Sequence, residues 1–206
     1  MLIRLLQGQV GFLEFVFLVV ALVIAITIHE FSHAWTANRL GDPTARLQGR
    51  VTLNPAVHLD PLGSVLILVT GFGWGRPVPV NGYQLRGGRR GMGWVSLAGP
   101  VSNFILATLF GLAIRFGLID GSSNFYRLAA IMISLNLGLG LFNLLPFGPL
   151  DGQKIAAGFL PAKWAYRITQ LNQSGQAMWF VLIAIFAFQP IYDVVLALFL
   201  WLVIGS

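Results

Sequence analysis

What most limits the fold of this chain is a series of long apolar runs that carry no charge. Residues 15–28, 91–114 and 128–145 lack any Asp, Glu, Lys or Arg. A helix needs about 20 apolar residues to cross the hydrocarbon core of a bilayer. Inside that core the backbone must satisfy its own hydrogen bonds, so runs of this kind become helices. The composition agrees, with 56% hydrophobic and only 10% charged residues, where a soluble domain carries about 25% charged. A net charge of +6 can signal nucleic-acid binding. Here, however, the basic residues gather in the segments between apolar runs, as membrane orientation requires, and nucleic acid is excluded as a partner. Cysteine is absent, so there is no disulfide framework or thiol chemistry, and any metal must be held by His and carboxylate.

The runs predict an all-α membrane protein, a polytopic helical bundle. One integral-membrane domain over 1–206 is expected, with a core at 11–170 and a C-terminal span or spans at 177–204. The first helix should run from about Gly11 to Leu40 and stop at Gly41-Asp42-Pro43. Arg4 ahead of an apolar run suggests a signal peptide, but no A-x-A-like cleavage site follows and the run is expected to be a retained span. The segment from Asp42 to Arg90 is rich in Gly, Pro and Arg. Within it Pro61 to Gly75 is uncharged yet too short for a comfortable crossing, which predicts a re-entrant or interfacial piece. Val78-Pro79-Val80 predicts a short strand or β-ribbon between the first two core spans. Ser122-Ser123-Asn124 is a helix start ahead of the third span. The final apolar stretch is interrupted by Gln189-Pro190 and Asp193, which fits either one kinked span or a hairpin. Arg39, Arg46, Arg50, Arg76, Arg86, Arg89 and Arg90, with Lys154, Lys163 and Arg167, put their segments on the cytoplasmic side. His29 and His33 then lie in the cytoplasmic half of the first helix. Trp74, Trp94, Trp164, Tyr166 and Trp201 are expected at membrane interfaces.

The end of the first run carries chemistry. His29-Glu30-Phe31-Ser32-His33 sets two imidazoles one helical turn apart on one face, where they can share an ion. Glu30 sits about 100° round the helix, placed to take a proton from a water that a zinc ion activates rather than to ligate the metal. Such a motif arises by chance on ordinary helices too. Burying two His and a Glu in a membrane helix nevertheless costs several kcal/mol unless they are paired or metal-bound. The chain spends two of its three histidines here. A third ligand must come from His58 or from Glu14, Asp42, Asp60, Asp120, Asp151 or Asp193. Glu14 lies about four turns away on the same helix and cannot reach. Asp151 stands out, because it follows an uncharged span within Asn143-Leu144-Leu145-Pro146-Phe147-Gly148-Pro149-Leu150-Asp151-Gly152. Irregular backbone at membrane depth is tolerated where it lines a buried or watery cavity. Asp151 as a plain helix N-cap is the other reading. His58 and Asp60 are expected to form a polar pair at the membrane surface, and they are the next ligands to consider.

These residues resemble the site-2 protease family of membrane metalloproteases. The resemblance rests on His29 to His33 in a membrane helix, Gly99-Pro100-Val101-Ser102-Asn103 in a later span, and Leu150-Asp151-Gly152 after a third. Thr52-Leu53-Asn54-Pro55 and Gly75-Arg76-Pro77-Val78-Pro79-Val80-Asn81 are similar to the small bacterial and archaeal members, which implies a prokaryotic cell membrane. It implies one Zn2+ ion held by His29, His33 and Asp151, Glu30 as general base, and Asn103 and Asn143 as substrate-binding residues. It further implies transmembrane proteins as substrates, cut in or near their membrane segments. Family members often carry proline where Gly148 stands. A pinning hydrogen bond between helices is the alternative role for each asparagine. A catalytically silent relative that binds membrane partners and a metal transporter are the competing functions. An intact Glu30 argues against the first, and a Glu beside the first His argues against the second.

Overall fold

In a computed structural model the structure describes residues 2–70, 73–173 and 176–205, with the backbone alone for 3, 4, 70, 171–173 and 176–187. The helices are α1 (Leu2–Leu6), α2 (Phe12–Arg39), α3 (Thr44–Leu47), α4 (Pro61–Thr70), α5 (Arg89–Arg115), α6 (Asn124–Asn143), α7 (Asp151–Phe159), α8 (Ala162–Gln173) and α9 (Gln176–Phe199). Among the described residues, α2, α5 and α6 are long and apolar enough to cross a membrane. The 28 residues of α2 span about 42 Å at 1.5 Å per residue, more than the roughly 30 Å hydrocarbon core, so its ends reach polar surroundings. It ends as the sequence predicts: Gly41 takes a φ of 104°, a left-handed conformation that stops a helix at little cost to glycine. Ser123 caps α6, its Oγ accepting from the Tyr126 N–H at 3.2 Å.

Small residues let α2, α5 and α6 approach closely. Ala21, Ala25, Ala34, Ala37, Ala107 and Ala129 are fully buried, whereas Val20, Ile24, Ile105 and Leu109 point outward. Water would penalise that outward face, and lipid does not. Ala107, Ile133 and Leu137 form a core between α5 and α6 that Tyr192, Leu196 and Phe199 of α9 cover. Helix α9 runs unbroken through Pro190 and continues as a π turn over Leu200–Ile204, so the last stretch is one helix and not a hairpin. Arg115 holds its end by donating to the Leu202 carbonyl at 3.0 Å.

The expected β-ribbon does not appear among the described residues. Around Val78–Val80 no ladder forms, the prolines restricting themselves and the residues before them to extended backbone, and an isolated antiparallel bridge joins Leu59 to Gly75. Pro77 and Pro79 carry no N–H, which removes two of the donors a ladder needs. The expected re-entrant piece, 61–75, is helical over Pro61–Thr70. Residues 71 and 72 of that piece lie outside the described residues.

Asp42 organises the start of this connection. It is fully buried and accepts from the Thr44 N–H, the Thr44 hydroxyl and the Asn81 N–H. Burial pushes its carboxyl up, but these hydrogen bonds outweigh burial and hold it below the usual carboxylate range.

Candidate metal centre

Three helices bring the chemistry together. On α2, His29 and His33 are both buried, their Nε2 atoms 3.0 Å apart. From the first turn of α7, Asp151 extends Oδ2 to 3.0 Å from His29 Nε2 and 3.1 Å from His33 Nε2. Helix α5 lines the pair along one face through Val95, Gly99 and Asn103, at i, i+4 and i+8. His33 Nδ1 lies 2.7 Å from the Val95 carbonyl, and His29 Nδ1 lies 2.7 Å from Asn103 Oδ1. The helices run antiparallel at this point, so moving up α2 from His29 to His33 moves down α5 from Asn103 to Val95.

Glycine at position 99 is what allows this approach. A Cβ there would lie 2.6 Å from His29 Cε1 and closer still to His33, inside van der Waals contact. Gly148 takes a φ of 70° in the loop leading to Asp151. Proline, locked near −65°, cannot adopt that conformation.

The donor pattern defines what the site can hold. The Val95 carbonyl only accepts, so His33 Nδ1 donates and its Nε2 is a bare lone pair. The same holds at His29, because the Asn103 amide nitrogen is already directed at two acceptors, Ala25 O at 3.3 Å and Asn136 Oδ1 at 2.8 Å. Two lone pairs and a carboxylate oxygen therefore face one another in a buried space, an arrangement that repels itself unless a cation or proton sits among them. In tetrahedral coordination at a Zn–N distance of about 2.05 Å, ligand atoms stand roughly 3.3 Å apart, close to the separations here. The residues fit zinc. Among the described residues, His29, His33 and Asp151 are the group of potential ligands that converges in this way.

Glu30 is half-buried beside the pair. The extended segment crosses over it, since a Cβ on Gly75 would lie 3.4 Å from Glu30 Oε1. Arg50 fastens that segment by donating Nη2 to the Arg76 and Pro77 carbonyls. Burial pushes the Arg50 guanidinium down while the Glu30 carboxylate pulls it up. Charge placement alone makes Arg50 an orienting surface residue, but it is buried and next to the site.

Asn143 ends α6, half-buried, and donates to the Leu139 carbonyl at 3.0 Å. His58 and Asp60 do not form the expected surface pair. His58 is fully buried and donates Nε2–H to the Thr52 carbonyl at 2.8 Å, while Asp60 accepts the Gly63 N–H at 2.8 Å at the start of α4. A chain turn carrying its own polar backbone can bury a histidine on a carbonyl without any partner carboxylate. Three supporting residues escaped sequence reasoning: Gly99 as a spacer, Asn136 and Arg50. Only the first lay within a motif already noted.

Comparison with known proteins points the same way. Residues 118–189 match peptidase family M50, a region that includes Asp151 and not the His29 motif. YwhC of Bacillus subtilis (strain 168), which carries a zinc-metalloprotease name, is 43% identical over 176 residues, 81% of this chain and 79% of its own length. Rip2 of Mycobacterium tuberculosis (strain ATCC 25618 / H37Rv), similarly named, is 33% identical over 144 residues. That alignment covers 67% of this chain, which spans only 55% of Rip2. Zinc metalloprotease MJ0392 of Methanocaldococcus jannaschii is 28% identical over 149 residues, 72% of this chain and 36% of its own length. No solved structure matches.

Proposed function

Because this chain belongs to peptidase family M50 and is an integral-membrane zinc metalloendopeptidase, we propose that it cuts other membrane proteins in or near their transmembrane segments. His29, His33 and Asp151 hold the ion and Glu30 is the general base. The observation that carries this assignment is the convergence of two imidazole lone pairs and one carboxylate oxygen within a buried site at the end of a membrane helix. Bound zinc supplies Lewis acidity, which lowers the pKa of water to about 7. Glu30, beside the ligands without joining them, accepts the proton of the attacking water and hands it to the departing amide nitrogen. Nδ1–H bonds to Val95 and Asn103 hold both imidazoles in the tautomer that leaves Nε2 free for the metal.

A helical substrate must unwind before cleavage, because its peptide bonds are already hydrogen-bonded and sterically shielded. The extended backbone over Glu30, fastened by Arg50, offers an edge against which an unwound strand can align by β-addition. Asn143, at the end of α6 where the loop to Asp151 begins, meets substrate backbone in this reading. Asn103 is fully buried with its amide engaged, which favours support of His29 over contact with substrate. We place the active site toward the cytoplasmic face of a prokaryotic cell membrane, from the distribution of Lys and Arg, and treat 1–206 as one protease domain.

The test is to purify the native, Glu30→Gln and Asp151→Ala proteins and measure bound zinc and cleavage of a model transmembrane substrate. The glutamine variant should keep zinc and lose cleavage by about 10²–10⁴-fold, and the alanine variant should lose zinc. Full activity in Glu30→Gln would end the proposal.

A further inference from the structure

His33 rests on a backbone carbonyl, whereas His29 rests on a side-chain carboxamide that is itself held. Asn103 and Asn136 are both fully buried. Asn136 Nδ2 donates to the Met132 carbonyl at 2.8 Å, Asn103 Nδ2 donates to Asn136 Oδ1 at 2.8 Å, and Asn103 Oδ1 faces His29 Nδ1 at 2.7 Å. A carbonyl cannot donate, so the Met132 end sets the sense of every bond that follows. Asn136 must turn its amide nitrogen to Met132 and its oxygen to Asn103. Asn103 must then turn its nitrogen to that oxygen and to Ala25, and its oxygen to His29. Flipping either amide would set oxygen against oxygen in a buried space, which is costly.

We propose that Asn136, through Asn103, is a positioning residue for the metal site, fixing His29 as the Nδ1–H tautomer and so presenting its Nε2 lone pair to zinc. This rests on the assignment of His29, His33 and Asp151 as the zinc ligands. The relay spans three helices, from α6 through α5 to α2, so the site is tuned by a residue in none of the motifs. A simple interhelical pin is the plainer role, and such pins exist elsewhere on α6. Ser134 shares a hydrogen bond with Tyr192 of α9, away from the ligands.

Ser134→Ala is therefore the control for the relay. Zinc affinity by chelator competition, the ligand-field absorption of the cobalt(II)-substituted protein, and thermal stability should be measured for the native protein and for Asn103→Leu, Asn136→Leu, Asn136→Asp and Ser134→Ala. Loss of a partner outside the ligand shell weakens metal binding by about 10–100-fold. Asn103→Leu is expected within that range and Asn136→Leu near its lower end, both with shifted cobalt bands. Asn136→Asp, kept neutral by burial, donates its O–H to the Met132 carbonyl, still accepts from Asn103 and should keep native zinc affinity. Ser134→Ala should lose stability alone. Asn136→Leu with native zinc affinity and unshifted bands would overturn the relay, as would weakened zinc binding in Asn136→Asp. Asn136→Ala serves the same purpose if the leucine variant does not fold. Asp151→Ala measured alongside separates the two levels: native zinc affinity there would remove the ligand set itself, and the relay with it.

Discussion

Two parts of the molecule bury histidine, with opposite results. At the α2–α5 contact the Nδ1 atoms of His29 and His33 face oxygens, and their Nε2 atoms face each other and Asp151. At the turn before α4, His58 is no less buried, yet it spends Nε2–H on the Thr52 carbonyl and leaves Nδ1 without a partner. The first arrangement concentrates lone pairs and needs a cation. The second spends one ring N–H on the backbone of its own loop and gathers no further ligand. Burial of a histidine therefore does not mark a ligand; the direction of its remaining lone pair, and what else points there, does.

The comparison breaks most readily at Gly99. Gly99→Val should drive a side chain between α5 and both imidazoles, weakening zinc by about 10–100-fold, the range seen when support around ligands is lost. Chelator competition reads this, and undiminished affinity would mean that the helices do not approach as described. His58→Gln sharpens the contrast from the other side. It should leave zinc stoichiometry unchanged and lower thermal stability by about 1–3 kcal/mol, the cost of disturbing a buried hydrogen bond. Loss of zinc in that variant would make the two sites one. The smallest effect belongs to Asp42, whose hydrogen bonds tie the extended connection to the end of α2. Its carboxyl is held below the usual value, so its stabilisation is fully present above about pH 3.9 and fades as pH falls through the lowered value. Asp42→Asn should melt earlier by about 1 kcal/mol near neutral pH, and the gap from native should close in acid. A gap that widened on acidification would contradict the sign.

Much of this was readable along the chain. The boundaries of α2, α5 and α6 follow from charge-free runs ended by Gly41 and begun at Ser123, because lipid permits few alternatives to a helix. His29 and His33 were legible because their spacing matches one helical turn, and Asp151 only as a candidate, because its Pro- and Gly-rich flanks mark irregular backbone after an uncharged span. The connection between α2 and α5 was not. Pro77 and Pro79 break the ladder that alternating Val78 and Val80 suggest, and no pattern marks Arg50 as buried rather than solvated. His58 misled for the same reason, since its neighbour in sequence, Asp60, is not its neighbour in hydrogen bonding.

The sequence by itself determined that the chain lives in a membrane as helices, and that two imidazoles and a glutamate share one helix end. Both are matters of local spacing and transfer free energy. Only the tertiary structure decided which carboxylate meets that pair, that Gly99 is the gap through which α5 comes near, and that Asn136 stands behind Asn103. These depend on which faces of separate helices meet, and residues 33 or 122 positions apart leave no trace of their contact in the local pattern.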